Sequence, residues 1–209
     1  MKSENKLYVL MGIFVSALIA SNLLGTKISY IFSQNFAVSV GIFCVPVTFL
    51  ITDIVEEVYG KEKTMIFVYT GIISLIFVFL MTILAINLPS STRYTANGAF
   101  NTVFGASLRM IIASLIAFFI AQTHDIWAFN FWKKKTKGKF LWIRNNLSTM
   151  VSQLIDTCIF MFIAFYKVAP KFTAAFIISL IIPYWLFKML FALIDTPFVY
   201  LGVWWLKKK

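Results

Sequence analysis

Long apolar runs broken by short polar stretches fill this sequence from end to end, and their lengths predict six membrane-crossing α-helices at about 7–25, 36–59, 64–88, 105–132, 147–168 and 172–206. A crossing helix needs about 20 mostly apolar residues, because each adds about 1.5 Å and the hydrocarbon layer is about 30 Å thick. The six segments leave no room for a separate soluble domain, so residues 1–209 are read as one transmembrane domain. Runs such as 72–80 are apolar on every side, whereas strands of a membrane barrel alternate with polar residues that face a lumen. The expected fold class is therefore an all-α integral membrane protein, a six-helix bundle.

Composition strengthens that reading. The chain is 60% hydrophobic and 13% charged, roughly half the charged quarter of a soluble domain. Its net charge of +11 raises nucleic acid as a partner, but the placement of the charges points to a membrane instead. With the N-terminus in the cytoplasm, inner segments carry Lys2, Lys6, Lys61, Lys63, Lys133, Lys134, Lys135, Lys137, Lys139, Arg144, Lys207, Lys208 and Lys209, while outer segments carry Lys27, Arg93, Lys167 and Lys171. This asymmetry is the positive-inside pattern and predicts an even number of spans with both termini cytoplasmic. The basic clusters then meet the anionic headgroups of the bilayer rather than nucleic acid.

The first apolar run follows Lys2 and Lys6, and its small residues 17–21 imitate a signal-peptide cleavage site. It is longer than a signal core and no polar mature domain follows, so it is kept as the first span. Cys44 and Cys158 fall inside predicted helices with no metal or disulfide spacing. Two loops are long: 89–104, a polar outer stretch placed to cover an entrance, and 133–146, a Lys-rich inner one.

The acids carry the chemistry, because a carboxylate at the membrane centre costs about 2.5 to 3.5 kcal/mol on insertion scales. Asp53 is eight residues from Lys61, Asp125 eight from Lys133, Asp156 twelve from Arg144, and Asp195 twelve from Lys207. At the helical rise all four lie about 12 to 18 Å from the cytoplasmic boundary, close to the midplane. They share a polar cavity, carry protons, or pair with the two basic residues inside the spans, Arg109 and Lys188. Lys188 sits two turns before Asp195 on one helix face. A purely structural ion-pair network is the plain alternative to a wet binding cavity, which is the favoured reading.

A short motif recurs in the fourth and fifth spans: Gln122, Asp125 and Phe129, then Gln153, Asp156 and Phe160, at identical spacing. Gln and Asp three apart share a helix face. The two helices run in opposite directions, as repeats do in transporters with a site at the repeat interface. On the first span, Gly12, Ser16 and Ala20 and then Ala17, Ser21 and Gly25 form small-residue ridges suited to packing inside the bundle. There is no phosphate-binding loop, no nucleophile motif and no second ligand beside His124. No enzymatic activity, metal or cofactor is expected.

The sequences PVTFLITDIVEEVYGK at 46–61, SNLLGTK at 21–27, SQLIDT at 152–157 and FALIDTPFVYL at 191–201, with Arg109, Gln122 and Asp125 between them, resemble the queuosine precursor transporter family, also called the YhhQ or vitamin uptake transporter family. The resemblance covers nearly the whole chain. It implies six spans in the plasma (inner) membrane of a bacterium and uptake of a 7-deazaguanine, typically 7-cyano-7-deazaguanine, with the aminomethyl form and queuine as close relatives. The doubled acid Glu56 and Glu57 departs from the family signature, and spacing leaves open which one faces a cavity, since both share the face of Asp53.

The residue types agree with such a solute. A guanine-type edge presents an amine and a ring N–H beside an oxygen acceptor, which a carboxylate and a Gln amide match. The expected substrate-binding set is Asn22, near the outer mouth, with Asp53, Glu56, Gln122, Asp125, Gln153, Asp156 and Asp195. The sequence leaves the energy source open between a secondary carrier and the substrate-binding subunit of an energy-coupling-factor transporter that needs a separate ATPase. A nontransporting assembly subunit is a third reading, and a homo-oligomer is compatible with all of them.

Overall fold

The computed structural model describes residues 3–31 and 33–208; Lys2 and Lys209, counted above among the inner charges, lie outside them. Its elements are α1 (Ser3–Leu24), β1 (Ile28–Ile31), β2 (Ser33–Ser39), a 3-10 turn (Val40–Phe43), α2 (Val45–Tyr59), α3 (Lys61–Asn87), α4 (Asn97–Lys135), α5 (Leu141–Phe165) and α6 (Ala174–Lys207). Five of the helices, α1 and α3 to α6, are long and apolar enough to cross a bilayer. The chain is a multi-pass α-helical membrane protein. Helix α2 has 15 residues and reaches only about 22 Å at about 1.5 Å per residue.

The segment expected as the second span, 36–59, is thus helical only in its later part. Its start is taken by β2, which pairs antiparallel with β1, and by the 3-10 turn. The causes are local bonds that satisfy the backbone outside a long helix. The Val40 amide donates to the Lys27 carbonyl at 2.9 Å, the Ser39 hydroxyl donates to the Gly25 carbonyl at 2.7 Å and accepts from the Gly41 amide at 3.3 Å. Pro46 then sits in the first turn of α2, where its missing N–H costs nothing and its fixed φ suits a helix start. The 3-10 turn lies hard against the end of α1, since a Cβ on Gly41 would stand 2.3 Å from the Ser21 carbonyl oxygen. Ser21 and Gly25, of the second small-residue ridge, therefore pack within the bundle. Gly41→Ala is expected to destabilise the protein by about 1–3 kcal/mol, as overpacking does, and to lower Tm in detergent; an unchanged Tm would show that this contact is dispensable.

The long loops expected at 89–104 and 133–146 are both shorter than that. Helix α4 already begins at Asn97, and only 136–140 separate α4 from α5. There Lys137, Gly138 and Phe140 all have positive φ, which turns the chain back tightly. Lys133, Lys134 and Lys135 occupy the last turn of α4, where cations offset the helix dipole.

Polarity is distributed as in a protein solvated by lipid. On α3, Phe67, Val68, Gly71 and Leu75 are buried while Ile73, Phe77, Leu80 and Leu84 are exposed. Phe14 of α1 packs between Phe67 and Phe118, at centroid distances of 5.7 and 6.0 Å. A Cβ on Gly202 of α6 would meet Ile54 of α2 at 2.3 Å, so that pair of helices also touches closely. Meanwhile Asp53, Gln122, Asp125 and Arg144 are buried, the reverse of a water-soluble protein. The two ends of the chain meet: the Lys6 ammonium donates to the carbonyls of Trp205 at 2.7 Å and Lys208 at 2.6 Å. These bonds join the start of α1 to the end of α6 on one side of the bundle.

Candidate functional site

A cavity enclosing about 810 Å³ of space between atoms, its open mouth included, lies where the end of α1, the 3-10 turn, α2, α4, α5 and α6 converge. Much of the wall is apolar, with Phe49, Phe118, Phe160 and Phe165 among it. Into it project a few polar groups. The Asn22 amide nitrogen donates to the Leu18 carbonyl at 3.0 Å and the Ser114 hydroxyl at 3.2 Å, which fixes the amide in place. Opposite stands an ion pair, Lys188 Nζ to Asp156 Oδ2 at 2.7 Å, nearly buried. Two charges taken so far out of water survive only as a pair, since their desolvation is expensive.

Sequence reasoning placed Lys188 among the basic residues of the spans and set it near Asp195 along its own helix. Its partner is Asp156 of α5, and it lines the cavity. Helix spacing shows neighbours on one helix only, so the pairing left no signal in the sequence. Arg109, the other basic residue of the spans, donates instead to the carbonyls of Ile163 and Tyr166 at 2.8 Å each, closing the end of α5.

Of the eight expected site residues, Asn22 and Asp156 line the cavity. Asp53 and Asp195 line a smaller crevice between α2, α5 and α6. Gln122, Asp125 and Gln153 are buried with Asp53. Asp53 accepts from the Thr149 hydroxyl at 3.3 Å. The Ser148 and Ser152 hydroxyls donate to the carbonyls of Asn145 and Ser148. Ser152 also contacts His124 Nδ1 at 2.9 Å. Glu56, also buried, accepts from the Asn130 amide.

The doubled acid is separated by its neighbours. Whereas Glu56 faces Asn130, Glu57 joins Lys133 and Arg144, each at 3.0 Å. Neither lines the cavity. Arg144 is 1% exposed and lies 5.4 Å from the Phe129 ring centre. This three-residue ion cluster ties α2, α4 and α5 together at the end opposite the cavity. The two copies of the Gln–Asp–Phe motif consequently differ: Asp156 and Phe160 face the cavity, while Asp125 is sealed and Phe129 backs an arginine.

A family model described as "Putative vitamin uptake transporter" matches residues 39–202, from the end of β2 through most of α6. The chain belongs to the vitamin uptake transporter family. It is a family of transporters, not enzymes. Among curated proteins, a relative from Bacillus subtilis (strain 168), named "Probable queuosine precursor transporter", is 31% identical over 195 residues, covering 91% of this chain and 82% of its own. Another, the "Queuosine precursor transporter" of Escherichia coli (strain K12), is 24% identical over 160 residues, covering 77% of this chain and 70% of its own. No solved structure matches. The matched region holds every expected site residue except Asn22.

Proposed function

We propose that this chain imports a 7-deazaguanine precursor of queuosine, 7-cyano-7-deazaguanine or its aminomethyl or queuine relatives, across the inner membrane of a bacterium as a secondary carrier. The names of the two relatives point to that solute class, and the observation that carries the reading is the Asp156–Lys188 pair in an aromatic cavity. A guanine-type edge sets an oxygen acceptor beside two N–H donors. Lys188 supplies a donor to the oxygen and the Asp156 carboxylate accepts from the donors, so the pair matches the edge as a unit. Phe rings on the wall stack on the flat heterocycle for about 1–3 kcal/mol each. Asn22, whose nitrogen is already committed, offers its side-chain oxygen.

In this reading the 3-10 turn and α2 cross together as the second of six spans. The bond from Lys6 to the end of α6 supports an even number of crossings, and the distribution of basic residues favours cytoplasmic termini. The cavity then opens outward, Glu57, Lys133 and Arg144 close the inner end, and Asp53, Glu56, Gln122, Asp125, Gln153 and Asp195 form a polar floor between them. Alternating exposure follows from α4 and α5 moving against the rest.

The chain expressed in cells that cannot make 7-deazaguanines is expected to restore queuosine in tRNA when 7-cyano-7-deazaguanine is supplied. Purified and reconstituted without any ATPase, it is expected to move the labelled base into liposomes. Failure of the first experiment removes the solute assignment; success of the first with failure of the second replaces the secondary carrier by an ATPase-dependent subunit.

A further inference from the structure

The ion cluster of Glu57, Lys133 and Arg144 stands on the same three helices that wall the cavity, at their other end. On α2, Thr48 and Phe49 of the cavity precede Glu57; on α4, Ser114 and Phe118 precede Lys133; on α5, which runs the opposite way, Arg144 precedes Asp156 and Phe160. At about 1.5 Å per residue the cluster lies roughly 12 to 22 Å along these helices from the cavity. Between the two runs the crevice of α2, α5 and α6. Phe49 lines both the cavity and the crevice, and so forms the wall between them. The crevice is also lined by Asn145, the residue next to Arg144 in the chain. It therefore reaches from the cavity wall to the ion cluster.

A permanent seal at this place needs only apolar side chains, yet the residues here are polar and imperfectly matched. Asp53, Asn145 and Thr149 of the crevice are buried. Asn145 Oδ1, and Arg144 Nε and Nη1, have no hydrogen-bond partner among the described residues. Unmatched buried groups lower stability, and a buried ion pair is often no more stabilising than packed hydrophobic residues of the same volume. An ion pair differs from an apolar plug in being reversible. While it is closed, both charges are held out of water at a cost; once it parts, each regains its hydration, so the closed and open states stay close in free energy. Solvent is near at hand, because the Lys133 side chain on the same Glu57 oxygen is 32% exposed.

We propose that the Glu57–Arg144 pair is a gate of this transporter, and that a solute leaving the cavity passes Phe49 and follows the crevice once the pair has parted. This rests on the cavity being the solute site, whichever solute it takes. The pair joins α2 to α5 at 3.0 Å, and the bond from Thr149 to Asp53 at 3.3 Å joins the same two helices nearer the cavity. Separation of α5 from α2 breaks both links, opens the crevice along its length and brings Arg144 and Asn145 into contact with water.

Two measurements test the gate. In the full chain in lipid nanodiscs, which a reagent reaches from both faces, Cys44→Ser and Cys158→Ser remove the native thiols and Thr149→Cys places one in the crevice. Glu57→Gln with Arg144→Met then takes away both charges of the pair, so that neither is left buried alone. A charged, water-soluble thiol reagent is expected to modify Thr149→Cys at least about tenfold faster in that variant than with the pair intact, the factor that 1.4 kcal/mol of lost closure produces. Leu75→Cys, in the apolar core, is expected to stay unreactive in both. Equal rates at Thr149→Cys overturn the gate, and so does a matching rise at Leu75→Cys, which would make the pair a brace for the whole bundle. Neither outcome depends on a solute.

The second measurement sets binding against transport. The doubly neutral variant is expected to bind 7-cyano-7-deazaguanine within about twofold of wild type, as for independent sites this far apart. Its uptake into liposomes is expected to fall at least about tenfold, because alternating access requires each end to close in turn. Unchanged uptake, or a parallel loss of binding and uptake, overturns the gate. Wild type that neither binds nor moves the base, beside a Thr149→Cys rate that still answers to the pair, removes the import reading and leaves the gate standing.

Discussion

Asp156→Asn is expected to cut import of 7-cyano-7-deazaguanine by about 10- to 100-fold. In the proposed binding mode the carboxylate accepts charge-assisted hydrogen bonds from the donors of the heterocycle, each worth about 1.5–3 kcal/mol, and every 1.4 kcal/mol is a factor of ten in affinity. The same substitution strands the buried ammonium of Lys188, whose bond to Asp156 is 2.7 Å long. Breaking one side of a buried pair costs about 3–5 kcal/mol of stability. A second variant separates the two effects. Removing both charges, with Asp156→Asn and Lys188→Met together, is expected to recover most of the lost Tm while import stays down. Recovery of import in the double variant would make the pair a structural brace and not a recognition site.

Glu57→Gln is expected to give the largest loss of stability at the inner end. It takes the anion away from both Lys133 and Arg144. Lys133 is half-exposed and can turn toward water, but Arg144 is buried against Phe129 with its Nε and Nη1 already lacking partners. An uncompensated buried guanidinium costs about 3–5 kcal/mol. Thermal unfolding in detergent reads this directly: a large fall in Tm for Glu57→Gln, and a smaller one for Lys133→Met, whose removal leaves Arg144 paired. Equal falls in the two variants would show that the cluster acts through exposed charge alone.

Most of the helical framework was legible because lipid imposes a simple demand. Backbone groups must bond within the segment, and the segment must be apolar for about 20 residues, so α1, α3, α5 and α6 stand close to their expected positions. Helix α2 was not legible at its start. What ends the helix there is the seating of Gly41 on Ser21 and the bond from Ser39 to Gly25, contacts between segments that periodicity does not record. The outer loop at 89–104 was misjudged in part because its Ser, Thr and Asn residues look like loop composition, yet from Asn97 they continue as the first turns of α4.

In the candidate site, residue types were legible and partners were not. A helix face gathers residues three and four apart, so spacing groups Gln122 with Asp125 and both Glu56 and Glu57 with Asp53, and of these Gln122, Asp125, Asp53 and Glu56 are buried. It is silent on which helix packs opposite. The repeated motif shows the consequence: α6 presents Lys188 to Asp156 in the cavity wall, whereas Asp125 is fully buried between the helices, and the same three residues end in different surroundings. Glu56 and Glu57 part for the same reason, one toward Asn130 and the other toward Lys133 and Arg144.

In the proposed function the Asp156–Lys188 pair recognises the donor–acceptor edge of a 7-deazaguanine. Equilibrium binding to the purified protein measures it with no dependence on energy source or topology. Titration with 7-cyano-7-deazaguanine is expected to give one saturable site per chain, with affinity at least about tenfold lower in the doubly neutral Asp156→Asn, Lys188→Met variant, one charge-assisted bond being worth that much. No binding by wild type, or equal affinity in that variant, would contradict it.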